Sequence, residues 1–185
     1  IQFLKNNGFI QKPSEYALEE FEAKDQTPTF GGFIFLFVPL IVSMLFFAFK
    51  PDVKTKLVML SFFAYGLIGL VDDYKIVKEG RNDGLSAKAK FTLQLIVAVV
   101  FYFIYMKNGG SHELWIPFKA KPINLSYFFL IFVLFVMTGS SNAVNLTDGM
   151  DGLAGGTSII TLLPMGYLAY KAQEMGLVLF IGTLI

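Results

Sequence analysis

The chain has 185 residues, 55% of them hydrophobic and 16% aromatic, with a mean hydropathy of +0.60 and a formal net charge of +1. That composition excludes an ordinary soluble domain, which could not cover so much apolar surface, and no basic tract is long enough to hold nucleic acid. Cysteine is absent, so disulfides, thiolate metal sites and a cysteine nucleophile are excluded together.

Residues 1–32 are polar and carry no basic-then-apolar leader, and the chain opens on Ile1. With its last residue, Ile185, inside an apolar run, the sequence reads as an internal piece of a longer protein, truncated at both ends. The segment closes on Thr27-Pro28-Thr29-Phe30-Gly31-Gly32. Two hydroxyls, a proline and paired glycines make a tight turn whose N–H groups can approach an anion at a helix N-terminus. The same residues would also make a plain helix cap.

Five apolar stretches follow, at Phe33 to Phe49, Leu57 to Val71, Phe91 to Met106, Tyr127 to about Asn142 and Leu153 to Tyr170, and a sixth begins at Gly176. A crossing helix needs roughly 20 residues, so the shorter stretches must draw flanking polar residues into the interface. The expected fold is an all-α polytopic membrane protein of about five complete transmembrane helices plus the start of a sixth, forming one domain over 1–185. Pro39 and Pro164 fall inside spans and are expected to kink them. Phe128, Phe129, Phe132 and Phe135 are expected to face lipid or packing partners.

Because each full helix changes side, segments 1–32, 72–90 and 143–152 share one face of the membrane, and 50–56, 107–126 and 171–175 share the other. The first set holds eight Lys and Arg and the second seven, so positive charge does not orient the protein. On the second face, Asn108-Gly109-Gly110 and the alternation through His112, Trp115 and Pro117 to Asn124 predict a small surface β-hairpin. His112 and Trp115 read as interface anchors there.

The first face carries the chemistry. Val71-Asp72-Asp73-Tyr74 ends an apolar stretch with two adjacent carboxylates, which repel each other and call for a divalent cation or a lysine. Lys75 and Lys78 are near enough to serve as an ordinary charge cluster. Further on, Asn142, Asn145, Asp148 and Asp151 recur every third residue, a step that turns each about −60° from the last, so they fan around a pocket. Gly149 and Gly152 allow the backbone to break beside them. No basic residue lies between Lys121 and Lys171, so these acids call for a cation or a basic loop from elsewhere. Carboxylates, carboxamides and lysines gathered at one membrane face suit a Mg²⁺-dependent reaction on phosphates.

The motifs Thr27 to Gly32, Val71 to Tyr74 with Gly84-Leu85-Ser86-Ala87-Lys88 and Lys90, and Ser141 to Ala154 closely resemble the phospho-N-acetylmuramoyl-pentapeptide transferase family, within the polyprenyl-phosphate N-acetylhexosamine-1-phosphate transferases. The resemblance covers nearly the whole chain. It implies a multi-pass enzyme of the bacterial cytoplasmic membrane, with its active site and the first face cytoplasmic and its hairpin on the other side. Such an enzyme transfers phospho-MurNAc-pentapeptide from UDP-MurNAc-pentapeptide to undecaprenyl phosphate with Mg²⁺, giving lipid I and UMP. By the same resemblance Asp72, Asp73 and Asp148 are catalytic and metal-binding, and one of the Asp72–Asp73 pair is a candidate to deprotonate the lipid phosphate. Lys24, Thr29, Lys90, Asn142, Asn145 and Asp151 fall at substrate-binding positions. A homodimer is compatible with this reading. The chain departs from the family at Gln26 and over Lys12 to Glu22, and the family's later aspartate and histidine-rich loop would lie past Ile185, so residues 1–185 alone are expected to be inactive. Two alternatives are a sister enzyme acting on UDP-N-acetylhexosamine and, in another class, a transporter with a carboxylate cation path. Thr29 favours the muramoyl reading, and a transporter would spread its acids across several depths.

Overall fold

The computed structural model describes residues 32–46, 51–79, 84–148 and 152–185. Six helices and one two-stranded hairpin account for most of them: α1 (Gly32–Phe46), α2 (Val53–Glu79), α3 (Ala87–Lys107), β1 (Glu113–Leu114), β2 (Ile123–Asn124), α4 (Phe128–Thr147), α5 (Leu153–Lys171) and α6 (Met175–Leu184). Helices α2 to α5 are each long and apolar enough to cross a bilayer, while α1 and α6 are shorter apolar helices. The all-α membrane architecture expected from the sequence is the one observed. Of the stretch Phe33 to Phe49, residues 47–49 lie outside the described residues.

Local chemistry fixes the helix starts. Asp52 caps α2: its Oδ1 accepts the Thr55 N–H at 2.7 Å and its Oδ2 accepts the Thr55 hydroxyl at 2.8 Å. Burial alone would push the Asp52 carboxyl up, but these Thr55 bonds, with the Lys54 N–H, outweigh it and hold the group below its ordinary value. Ser86 caps α3 by accepting the Ala89 N–H at 3.2 Å, and at the other end the Asn108 side chain donates to the Ile104 carbonyl at 2.7 Å.

Helix α2 runs well past Val71. Its 27 residues span about 40 Å, against roughly 30 Å of hydrocarbon, so one end projects into water. Asp72 and Asp73 therefore lie within a helix that continues to Glu79, not at its end as the apolar stretch suggested. Likewise α4 does not stop near Asn142 but carries the asparagine motif helically to Thr147.

Neighbouring helices pack in sequence, α2 on α3 and α3 on α4, and α6 returns to lie against α1, α2 and α5. The core is thin, as expected of a protein whose outer surface meets lipid. Phe180 of α6 is 1% exposed and meets Phe62 of α2 edge-on with ring centroids 5.5 Å apart. Phe129 is buried, whereas Phe128 and Phe135 face outward and Phe132 is half-buried. Pro39 and Pro164 sit inside α1 and α5.

The hairpin forms where expected, antiparallel with Glu113 opposite Asn124 and Leu114 opposite Ile123. It caps an aromatic cluster in which His112 stands edge-on to Phe129 at 5.6 Å and its Nε2 lies 3.4 Å from the Tyr102 hydroxyl. Trp115 is exposed.

The two ends of the bundle are chemically distinct. At one end Lys54 of α2 pairs with Glu174, which precedes α6. At the other, the C-terminal parts of α2 and α4 meet the N-terminal parts of α3 and α5. Among the described residues, 72–79 and 84–90 thus lie at the same end as 143–148 and 152, the grouping reached by counting crossings.

Candidate active site

Asp72 is the first fixed point of that end. Its Oδ1 accepts the Leu85 N–H at 2.7 Å, and its Oδ2 accepts from the Lys90 ammonium at 2.9 Å. Both side chains are mostly enclosed, at 18% and 22% exposure, so the pair is only partly screened by water. Asp72 thus finds its basic partner in Lys90, from the first turn of α3, and not in Lys75 or Lys78. Lys75 instead donates to the Gly84 carbonyl at 2.9 Å and lies 3.9 Å from Glu79. Residues 84 and 85 are thereby held between two side chains of α2. A side chain at position 84 would force the Asp72 carboxylate to move, since a Cβ there would come within 2.8 Å of the Asp72 Cγ. Asp73, the next residue on α2, is half-buried.

One turn along α3 from Lys90 stands Gln94, whose side chain is buried. Its Oε1 accepts from Asn142 Nδ2 at 2.9 Å, and its Nε2 donates to Ser141 Oγ at 3.1 Å. Asn142 also donates to the Thr138 carbonyl at 2.9 Å. The Tyr65 hydroxyl of α2 reaches the Gln94 backbone carbonyl at 3.1 Å. These bonds tie α2, α3 and α4 together at one level, the recurrent way polar side chains join membrane helices.

Beside this tie is a cleft of about 240 Å³ whose lining includes Tyr65, Lys90, Gln94, Asn145, Asp148 and Ala154. Asp148 is exposed and closes α4, its N–H donating to the Val144 carbonyl at 3.1 Å. Gly152 then starts α5 with φ of 80°, a left-handed conformation that a side chain would resist. The break expected at this glycine is present. Lys90 thus pairs with Asp72 and also lines the same cleft as Asp148. Tyr65, Ser141 and Val144 also line a second space, an apolar groove of about 910 Å³ that runs along α2, α4, α5 and α6 as far as Glu174. The polar cleft and the apolar groove therefore share these three residues as a common wall.

Of the residues singled out from sequence, Asp72, Asp148, Lys90, Asn142 and Asn145 converge at this end, with Asp73 adjacent to Asp72. Lys24, Thr29 and Asp151 lie outside the described residues. Among the described residues, no three acidic or histidine side chains form a metal cage. Sequence reasoning missed Gln94 and Tyr65. Gln94 left a signal, being the one carboxamide inside the stretch Phe91 to Met106.

Fold and site together define an integral membrane protein of packed apolar helices with a carboxylate–lysine cleft at one end. Residues 55–185 match the family described as Glycosyl transferase family 4. The chain belongs to that family. Among its curated relatives, the phospho-N-acetylmuramoyl-pentapeptide-transferase of Listeria monocytogenes serotype 4b (strain CLIP80459) is 37% identical over 183 residues, covering 97% of this chain and 56% of the relative. The enzyme of the same name from Listeria innocua serovar 6a is also 37% identical over 183 residues, with the same coverage. That from Streptococcus pneumoniae serotype 19F (strain G54) is 36% identical over 187 residues, covering all of this chain and 56% of the relative. The chain thus spans about half the length of the curated relatives it matches.

Proposed function

We propose that this chain is part of a transferase that moves phospho-MurNAc-pentapeptide from its UDP carrier to undecaprenyl phosphate at the cytoplasmic face of a bacterial inner membrane, releasing UMP and forming lipid I. The single observation that carries the reading is that the Lys90–Asp148 cleft lies beside the apolar groove, with Tyr65, Ser141 and Val144 lining both. A lipid phosphate needs both: apolar surface for its tail and polar groups for its head. The names of the relatives supply the donor.

In the reaction an oxygen of the acceptor phosphate forms a bond to the phosphorus attached to the sugar, and the bond from that phosphorus to the bridging oxygen of UMP breaks. Lys90 gives an ammonium to phosphate oxygens, exchanging its contact with Asp72 for one with the substrate. The Asp72 carboxylate so released, or Asp73 beside it, takes the proton of the acceptor phosphate. Asn145 on the cleft wall orients the donor through its amide, Asn142 holds that stretch of α4 in place through Gln94, and Lys24, Thr29 and Asp151 add further substrate contacts. The donor set fits Mg²⁺, which takes hard oxygen ligands and is commonly held by one or two carboxylates plus substrate phosphates instead of an all-protein cage. One or two of Asp72, Asp73 and Asp148 are the carboxylates that would hold it. When bound, it neutralises charge on the diphosphate.

The test measures UMP release by the full-length protein, with undecaprenyl phosphate and Mg²⁺, from UDP-MurNAc-pentapeptide against UDP-GlcNAc. Preference for the muramoyl donor, lost in Asp72→Asn and Asp148→Asn, is expected. Preference for UDP-GlcNAc would assign the chain to the sister reaction and overturn the proposal.

A further inference from the structure

Away from the cleft, α1 and α2 diverge to leave an apolar groove of about 560 Å³. Phe37, Ile41 and Met44 of α1 line one side, and Met59, Leu60 and Phe63 of α2 line the other. Its inner limit lies where Phe37 meets Phe63 edge-on, with ring centroids 5.9 Å apart. Its outer limit is at Pro51 and Lys56. Lys56 to Phe63 is seven residues of helix, so the groove descends about 10 Å, within the roughly 15 Å of hydrocarbon in one leaflet.

Among the described residues, Lys56 is the only charged one lining this groove. It is exposed and makes no ion pair among the described residues. The acids near this end face elsewhere. Asp52 and Glu174 line a separate cleft with Lys54, where Glu174 pairs with Lys54 and Asp52 accepts from Thr55. Among the described residues, charge is thus sorted by face, and Lys56 stands without an acidic partner above an apolar trough. A lone lysine at this depth keeps its ammonium at the headgroup level while its stem lies along apolar surface.

We infer that the α1–α2 groove is a binding site for an anionic phospholipid, whose acyl chain lies against Met44, Leu60 and Phe63 and whose phosphate is paired by Lys56. The groove lies at the bundle end opposite Asp72, so the lipid is separate from any substrate of the cleft. Charge complementarity selects the headgroup: a zwitterionic lipid brings its own cation and gains little from Lys56, whereas phosphatidylglycerol does not.

The protein is reconstituted in nanodiscs of equal phosphatidylglycerol and phosphatidylcholine with identical acyl chains, and the lipids that remain bound on release are counted by native mass spectrometry. The wild type is expected to retain phosphatidylglycerol in preference. Lys56→Gln should lower that preference about fivefold, the factor expected of one lysine at an anionic surface, and Lys56→Arg should keep it. Leu60→Trp, which fills the groove at a position already half exposed, should lower retention of both lipids. Lys121→Gln, on the exposed hairpin loop, serves as control. Unchanged preference in Lys56→Gln, or unchanged retention in Leu60→Trp, would overturn the inference and reduce the groove to ordinary lipid contact.

Discussion

The tie between Gln94 and Asn142 makes a quantitative prediction. Gln94→Leu keeps the volume and removes two interhelical bonds, one to Asn142 at 2.9 Å and one to Ser141 at 3.1 Å. The 3.5 Å approach of Gln94 Nε2 to Asn142 Oδ1 is too long to add much. Bonds of this kind between membrane helices are worth about 0.6 kcal/mol on average and about 1.7 at most. Asn142 keeps its bond to the Thr138 carbonyl, so its amide is not left wholly unpaired. The single substitution should therefore cost about 1–2 kcal/mol. The sharper quantity is the coupling in a double-mutant cycle with Asn142→Leu, which should be about 0.6–1.7 kcal/mol because one direct bond joins the two side chains. Equilibrium unfolding in bicelles measures it. If the two substitutions are additive within about 0.3 kcal/mol, the bond carries no stability and the account of how α3 is fixed to α4 fails. Gln94 lies one turn from Lys90, so Gln94→Leu should also lower turnover by shifting Lys90 against Asp148, more than the stability loss alone explains.

Three further outcomes follow from particular contacts. Gly84→Val should nearly abolish turnover while leaving the helices folded, because its Cβ displaces the Asp72 carboxylate; circular dichroism together with UMP release checks both halves. The two interhelical ion pairs should differ. Lys54 is 69% exposed, so Lys54→Met should shift stability by less than about 0.5 kcal/mol. Lys90→Met leaves Asp72 enclosed without its cation and should cost about 2 kcal/mol or more; thermal unfolding of the two variants side by side checks the contrast. Finally, Asp52 has a folded-state pKa below its ordinary 3.8. Its contribution is therefore complete above that value and is lost as pH falls through the folded one. Asp52→Asn should flatten the decline of thermal stability below about pH 4 without changing the neutral-pH slope.

Much of the site could be read from the chain because its residues are chemically out of place. Asp72, Asp73 and Asp148 border apolar segments, where an unpaired acid is costly, and the odd or even count of crossings put them on one side with no knowledge of packing. Described acids indeed lie toward helix ends and loops, not spread through the spans, which disfavours a transporter path. Of the four residues expected to fan around a pocket, Asn145 and Asp148 stand on the cleft wall, Asn142 turns to Gln94, and Asp151 lies outside the described residues. Helix ends were misjudged for one reason: hydropathy marks where lipid stops, and hydrogen bonding carries a helix past that point. Thus α2 continues to Glu79 and α4 to Thr147.

Partner choice was the part hidden from sequence. Lys75 lies three residues from Asp72, and Lys90 lies eighteen, yet Lys90 makes the ion pair. The reason is geometric. An α-helical side chain at i+3 could reach Asp72, but Lys75 is drawn to the Gly84 carbonyl as the loop folds back, and the same fold brings the first turn of α3 beside Asp72. The loop is held by the Leu85 N–H on the very carboxylate that Lys90 neutralises, so the backbone bond and the ion pair reinforce each other. A substrate phosphate that draws Lys90 away would leave Asp72 still bonded to Leu85, keeping the carboxylate in place while removing its counter-charge.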